Sequence, residues 1–149
     1  VSDEVVPLER TGNAIRRMIR QHGRFPADLR KSLRPRMKAA GQPVLADARR
    51  RAGWSTRIPR ALRLATSFTK KQAGVSIVVS KAKAPHARPH EGITGNRTFR
   101  HPVHGNRNVW VEQSTRPFLV PAADMHGRRV VEAVNQAVDE AARAAGYGK

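Results

Sequence analysis

There is no cysteine among the 149 residues, which excludes disulfides, thiolate zinc sites and cysteine nucleophiles. Aromatic side chains are scarce: Phe25, Trp54, Phe68, Phe99, Trp110, Phe118 and Tyr147 are the whole set. The core must then be assembled from Val, Ile, Leu and Ala, and so thin a core favours stabilisation by partners. Long apolar runs are missing as well. The longest, residues 75–79, is interrupted by Ser76, far short of the ~20 residues that span a bilayer. The first residues carry Asp3 and Glu4 instead of a basic stretch followed by an apolar one. These absences predict a soluble intracellular product with no membrane partner.

Negative charge is in short supply too. Eleven Asp and Glu stand against twenty-nine Lys and Arg, leaving a formal charge of +18. Residues 1–71 hold eighteen of the bases and five of the acids, so the first half is the polyelectrolyte. Such a charge attracts nucleic acid or an acidic protein surface and says little about fold. The residues placed to act are Arg16, Arg17 and Arg20, then Arg30, Lys31 and Arg34, then Arg49, Arg50 and Arg51. On the outer faces of helices they are candidates for contact with DNA or an acidic partner, or simply a solvated face. Only Phe25 and Trp54 are near enough to interleave as stacking platforms. Any DNA contact would be to phosphates and insensitive to sequence.

The signatures of catalysis are absent. The chain has no nucleophile elbow, phosphate-cradling loop, dinucleotide fingerprint or paired carboxylates. With no nucleophile, base and orienting group to name together, no enzymatic activity and no cofactor is assigned. His86, His90, His101 and His104, with Glu91 beside them, are ligand types for zinc. They lack the helical or knuckle context that fixes ligand geometry, so no metal is assigned and they read as polar loop residues.

What is present reads as one α+β domain: N-terminal helices, a small antiparallel β-sheet with a long loop excursion, and a C-terminal amphipathic helix packed on the sheet. The divisions are a basic helical part over 1–55, a sheet part over 56–116 with the excursion at 81–108, and a final helix within 117–149. Leu8, Ile15, Met18 and Ile19 share one side of a helical wheel over roughly 4–22, and Gly23 ends it. Asp28 is placed to cap a second stretch carrying Leu29, Leu33 and Met37, with Pro35 as a kink or restart. Gly41, Gln42 and Pro43 break it before a third piece ending near Gly53, although the pieces could bend into one long helix. Residues 62–69 and 75–79 read as an antiparallel hairpin, with Gly74 supplying a bulge or a left-handed turn position. Residues 81–108 have almost no apolar periodicity and read as a long, partly mobile loop. The last helix, about 122–145, carries Val130, Val131, Val134, Val138, Ala141, Ala142 and Ala145 as its apolar stripe, with Asp124 suiting its dipole.

The junction before that helix is the most informative stretch. Pro117 and Pro121 bracket Phe118, so a segment of fixed φ presents one large ring as a helix starts; its burial contributes roughly 1.5–3 kcal/mol. Upstream lie a loop with His101, Pro102, Gly105, Asn106 and Asn108 and the strand-like Val109, Trp110 and Val111.

The order of Glu91-Gly92, the loop over 101–108 and the P-F-L-V-P-A turn at 117–122 resembles the tail-component, or tail-completion, family of long-tailed bacteriophages, small proteins of the neck where head and tail meet. The resemblance covers the second half of the chain, and the first half only through its helical character. It implies a structural virion protein that joins or completes the tail as part of a homo-oligomeric ring around the DNA channel. Implied partners are copies of itself, the head connector or a head-completion protein, and the tail tube or terminator protein. Tape-measure protein or DNA would occupy the channel, and the location would be the virion neck after a stage in the host cytoplasm. Intersubunit or partner contact would fall to His101, Val103, His104, Asn106, Trp110, Phe118 and Leu119. For Phe118, Trp110 and Leu119, burial in the subunit's own core is the simpler reading. Deleting residues 86–106 is then expected to leave a folded monomer unable to join heads to tails. The alternative function is a sequence-independent basic nucleic-acid-binding protein.

Overall fold

A computed structural model describes residues 20, 21, 23, 26–68, 73–92 and 95–146. The helix expected over 4–22, with Arg16 and Arg17, lies outside the described residues except for Arg20 and Gln21, both helical and exposed. The α+β architecture is the one observed: a long helix, two small antiparallel sheets, and a C-terminal helix packed on them. In chain order the elements are α1 (Ala27–Arg51), α2 (Ile58–Ala61), β1 (Leu62–Phe68), β2 (Ala73–Val79), α3 (Ala87–Glu91), β3 (Thr98–Val103), β4 (Asn106–Ser114) and α4 (Leu119–Ala144).

Helix α1 runs unbroken through Pro35 and Pro43. Each proline removes an N–H and crowds the carbonyl four residues back, at about 3 kcal/mol in a helix interior. Both stand on the exposed side. On the other side Leu29, Leu33, Met37, Gly41, Val44, Leu45 and Ala48 form a continuous buried stripe, and its burial outweighs the local penalties. The expected break at Gly41 to Pro43 is therefore corrected. Gly41 has a different purpose: a Cβ there would stand 2.8 Å from a Leu64 methyl and 3.1 Å from a Val75 methyl, so its bare backbone lets α1 press against the first hairpin. Asp28 lies in the first turn of α1, and Pro26 holds the cap position.

The first hairpin pairs β1 with β2 from Leu62↔Val79 to Phe68↔Ala73 without a shift. Gly74 sits inside β2 opposite Ser67, which corrects its expected bulge or turn role. The connecting residues 69–72 lie outside the described residues. Helix α4 runs antiparallel to α1, as the pairs Arg36–Glu140 at 3.6 Å and Asp47–His126 at 3.3 Å require. Between them Leu33, Met37, Ala48, Ala122, Val134 and Val138 are fully buried or nearly so. The helix starts at Leu119, three residues earlier than expected, leaving Asp124 beyond its first turn.

The largest correction concerns residues 81–108. This is no structureless loop: it holds α3, β3 and the start of β4, the two strands forming a separate two-stranded sheet. His104 and Gly105 have φ of +47° and +80°, the left-handed pair that a two-residue type I′ turn demands. Pro102 is tolerated in β3 because each strand of a two-stranded sheet is an edge.

Candidate assembly interface

Two motif pieces far apart in sequence meet at one carboxylate. Glu91, at the end of α3, accepts hydrogen bonds from the backbone N–H groups of Phe118 (2.9 Å), Leu119 (3.0 and 3.2 Å) and Val120 (2.7 Å). A helix N-terminus leaves its first N–H groups without intrahelical partners. Here three go to Glu91, and the next residue, Pro121, has none to satisfy. The carboxylate also faces the positive end of the α4 dipole. Gly92 follows with φ of +84°, and a Cβ there would meet the Asn96 carbonyl oxygen at 2.9 Å, so only glycine lets the chain turn away beneath the cap. Phe118, held by this clamp, has no exposed surface, and Leu119 is buried beside it. Phe118 is therefore not available to another subunit.

From the clamp the β3–β4 hairpin projects as an arm. Its base is tied down by Thr115 N–H and hydroxyl donating to the Arg97 carbonyl (2.8 and 3.0 Å) and by Arg116 N–H donating to the His90 carbonyl (2.9 Å). Rings reinforce it. Buried His90 has its ring centroid 4.5 Å from that of Trp54, 4.9 Å from Phe99 and 6.2 Å from His86, while Phe99 lies 5.9 Å from His101. The Arg116 guanidinium sits 5.4 Å over the Trp54 ring, within cation–π range. Burial, then the neighbouring His86, Arg116 and His101, pushes the His90 imidazole below its ordinary 6.5. Among the described residues no group of three or more His, Asp or Glu is arranged to hold a metal ion.

Beyond its base the arm has no cover. All nine residues of β4 are exposed, including Val109 at 49%, Trp110 at 47% and Val111 at 40%. The expected burial of Phe118 and Leu119 in the subunit's own core is observed, and that of Trp110 is corrected. Pairing of Pro102 with Trp110 and of Arg100 with Glu112 places these four on one face, and pairing of His101 with Val111 puts that pair on the other. Trp110 donates its indole N–H to the Arg107 carbonyl at 2.7 Å, so its polar atom is already satisfied. The structure thus gathers Val103, His104, Asn106 and Trp110 near the turn and His101 toward the base.

The basic candidates divide. Lys31 and Arg34 are exposed on α1 and Arg30 is half-buried beside them; with Ala27 and Pro35 these three line a shallow cationic hollow. The run at the end of α1 also makes internal bonds, although Arg49 and Arg50 stay exposed. Arg49 donates to the carbonyls of Pro59 (3.2 Å) and Leu62 (2.9 Å). Arg50 and Arg51 bind the buried carboxylate of Asp47, Arg51 at 3.0 Å. Burial of Asp47 raises its pKa, but the hydrogen bonds and charges of Arg51 and Arg50 outweigh that and hold the carboxyl below its ordinary 3.8. Sequence reasoning missed Asp47, whose i+3 and i+4 arginines were the available signal, and the cap by Glu91, which no local spacing announces. No helix among the described residues is long and apolar enough to cross a membrane. Compared with family models, with curated proteins and with solved structures, the chain matches none of them.

Proposed function

We propose that this protein is a structural subunit of a phage neck, a ring component that joins or completes the tail at the head–tail interface. The observation that carries the reading is the arm: a hairpin anchored at its base to a well-filled body, with three successive apolar residues, Val109, Trp110 and Val111, left uncovered. A projecting edge strand with uncovered apolar residues invites pairing with another chain. The clamp that binds Glu91 to residues 118–120 supports the same reading, because it unites two of the three pieces on which the family resemblance rests. A charge of +18 per subunit would make an isolated ring repel itself. Acidic surfaces of the head connector and tail tube, or DNA and tape-measure protein in the channel, offset it.

The arm contacts on this reading are His101, Val103, His104, Asn106 and Trp110, without Phe118 and Leu119. A deletion of 86–106 would also remove Glu91 and the buried Ala87 and His90, so it tests folding more than assembly. Replacing residues 101–111 with a short turn is the cleaner experiment. A phage carrying that change should accumulate separate heads and tails, and normal infectious particles would overturn the assignment. The second reading, phosphate binding by Arg30, Lys31 and Arg34, draws on their cationic hollow. It requires duplex DNA retardation whose log affinity falls by about 0.9 per phosphate contacted for each log unit of salt.

A further inference from the structure

The body carries a concavity that none of the residues above fills. It lies where α1, the first hairpin and the start of α4 converge, and is lined by Val44, Leu64, Val75, Ile77 and Leu119, with Val120 at the mouth. Its volume is about 360 Å³, near the small end of the roughly 300–1,000 Å³ range for ligand pockets and suited to one large side chain. Val120 is 44% exposed. Asp124, at the same rim, is exposed and makes no ion pair among the described residues.

We propose that this groove receives Trp110 from the arm of a second copy of the same chain, with Arg107 of that arm facing Asp124. The proposal rests on the ring reading above and names the contact by which the ring would close. Three observations favour a second copy as the occupant. Trp110 brings a large apolar surface whose only polar atom is already bonded to the Arg107 carbonyl, so burying it strands no donor. Charge matches: the arm offers exposed Arg107, whose carbonyl already holds the Trp110 indole, and the rim offers the exposed carboxylate of Asp124, without an ion pair among the described residues. Finally, arm and groove are different patches on one molecule, and contact between two unlike patches is head-to-tail, so each subunit has one arm to give and one groove to fill.

The absence of cysteine makes a direct test clean. Val109→Cys and Val120→Cys, both at exposed positions and both leaving Trp110 in place, are prepared as separate full-length variants, checked for folding by circular dichroism, then mixed and mildly oxidised. A disulfide forms only where the two Cα atoms come within about 4.4–6.8 Å. A covalent dimer in the mixture and in neither variant alone is expected. In the cysteine-free chain, Trp110→Ala should weaken self-association by roughly tenfold or more in sedimentation, as loss of an interface anchor does. Asp124→Arg should weaken it too, and Arg107→Asp combined with Asp124→Arg should restore it. Oligomers that form without the mixed disulfide would overturn the arm-in-groove contact while leaving the ring reading intact. A chain that stays monomeric at every concentration and never cross-links would overturn both. A doubly substituted variant that closes a disulfide within one molecule, independent of dilution, would assign the groove to the chain's own arm and also end the proposal.

Discussion

The body and the arm of this protein are built on opposite principles. In the body, α1, α4 and the first hairpin close over Leu33, Met37, Ile58, Phe118, Val134 and Val138, all with almost no exposed surface. Two of its carboxylates are tied down: Asp47 is bound by Arg50, Arg51 and His126, and Glu91 by three backbone N–H groups. The arm keeps its order through a type I′ turn, a ladder of backbone pairs and one ring cluster at its root, and it leaves every residue of its outer strand in solvent. A two-stranded hairpin is marginal by itself. Its dependence on the body at one end and its exposure at the other are what a contact element needs: position fixed, surface free. The scarce aromatic residues thus divide, with Phe118 buried in the body and Trp110 exposed on the arm.

If this contrast is wrong, it fails first at Phe118. Phe118→Ala should cost about 3–5 kcal/mol in denaturant unfolding, because it empties the middle of the body. Next, Gly92→Ala should cost about 1–3 kcal/mol, through positive φ and the Asn96 carbonyl in the way. Glu91→Ala belongs to a similar range, about 1–3 kcal/mol, and should loosen the first turn of α4 in hydrogen exchange before other parts open.

Acid separates the two regions further. His90 is held below 6.5, so between its folded value and 6.5 the unfolded chain binds more protons and stability rises with pH. The contribution is complete above 6.5 and is lost as pH falls below it. Protection of the arm root should therefore fade in mildly acidic buffer, with His90→Phe abolishing that dependence. For Asp47, held below 3.8, the contribution is full above 3.8 and lost only as pH falls through the lower folded value. Loss of the Asp47 link between α1 and α4 should consequently appear in stronger acid, after the arm root has weakened. The smallest effect is expected at Trp110: in the monomer Trp110→Ala should change stability by less than about 0.5 kcal/mol, and a large loss would mean that the arm is part of the core.

Much of the body is legible in the sequence. The four-residue spacing of Leu29, Leu33 and Met37, the stripe of Val130, Val134, Val138, Ala141 and Ala142, and the alternation around Ile77 each follow from the period of the element that carries them. The proline-flanked Phe118 is readable as the residue that seats the final helix. Less is legible in the arm. His-Gly is an uncommon way to write a type I′ turn, and Pro102 argues against a strand unless the strand is an edge. The basic run at Arg49, Arg50 and Arg51 reads as outward-facing, and Arg49 and Arg50 are exposed, but nothing local shows that Pro59 and Leu62 present carbonyls to the first of them or that Asp47 is buried beneath the other two.

Composition, charge, element periodicity and the absence of any thiol chemistry are settled by the order of residues alone, since each is a property of residues or of near neighbours along the chain. The folded arrangement was needed to settle that α1 continues through two prolines, that Glu91 caps a helix beginning 28 residues later, and which aromatic ring is hidden and which is shown. These outcomes depend on burial and on donors and acceptors brought together across the fold, and free energies of that kind belong to the packed molecule, not to any window of its sequence.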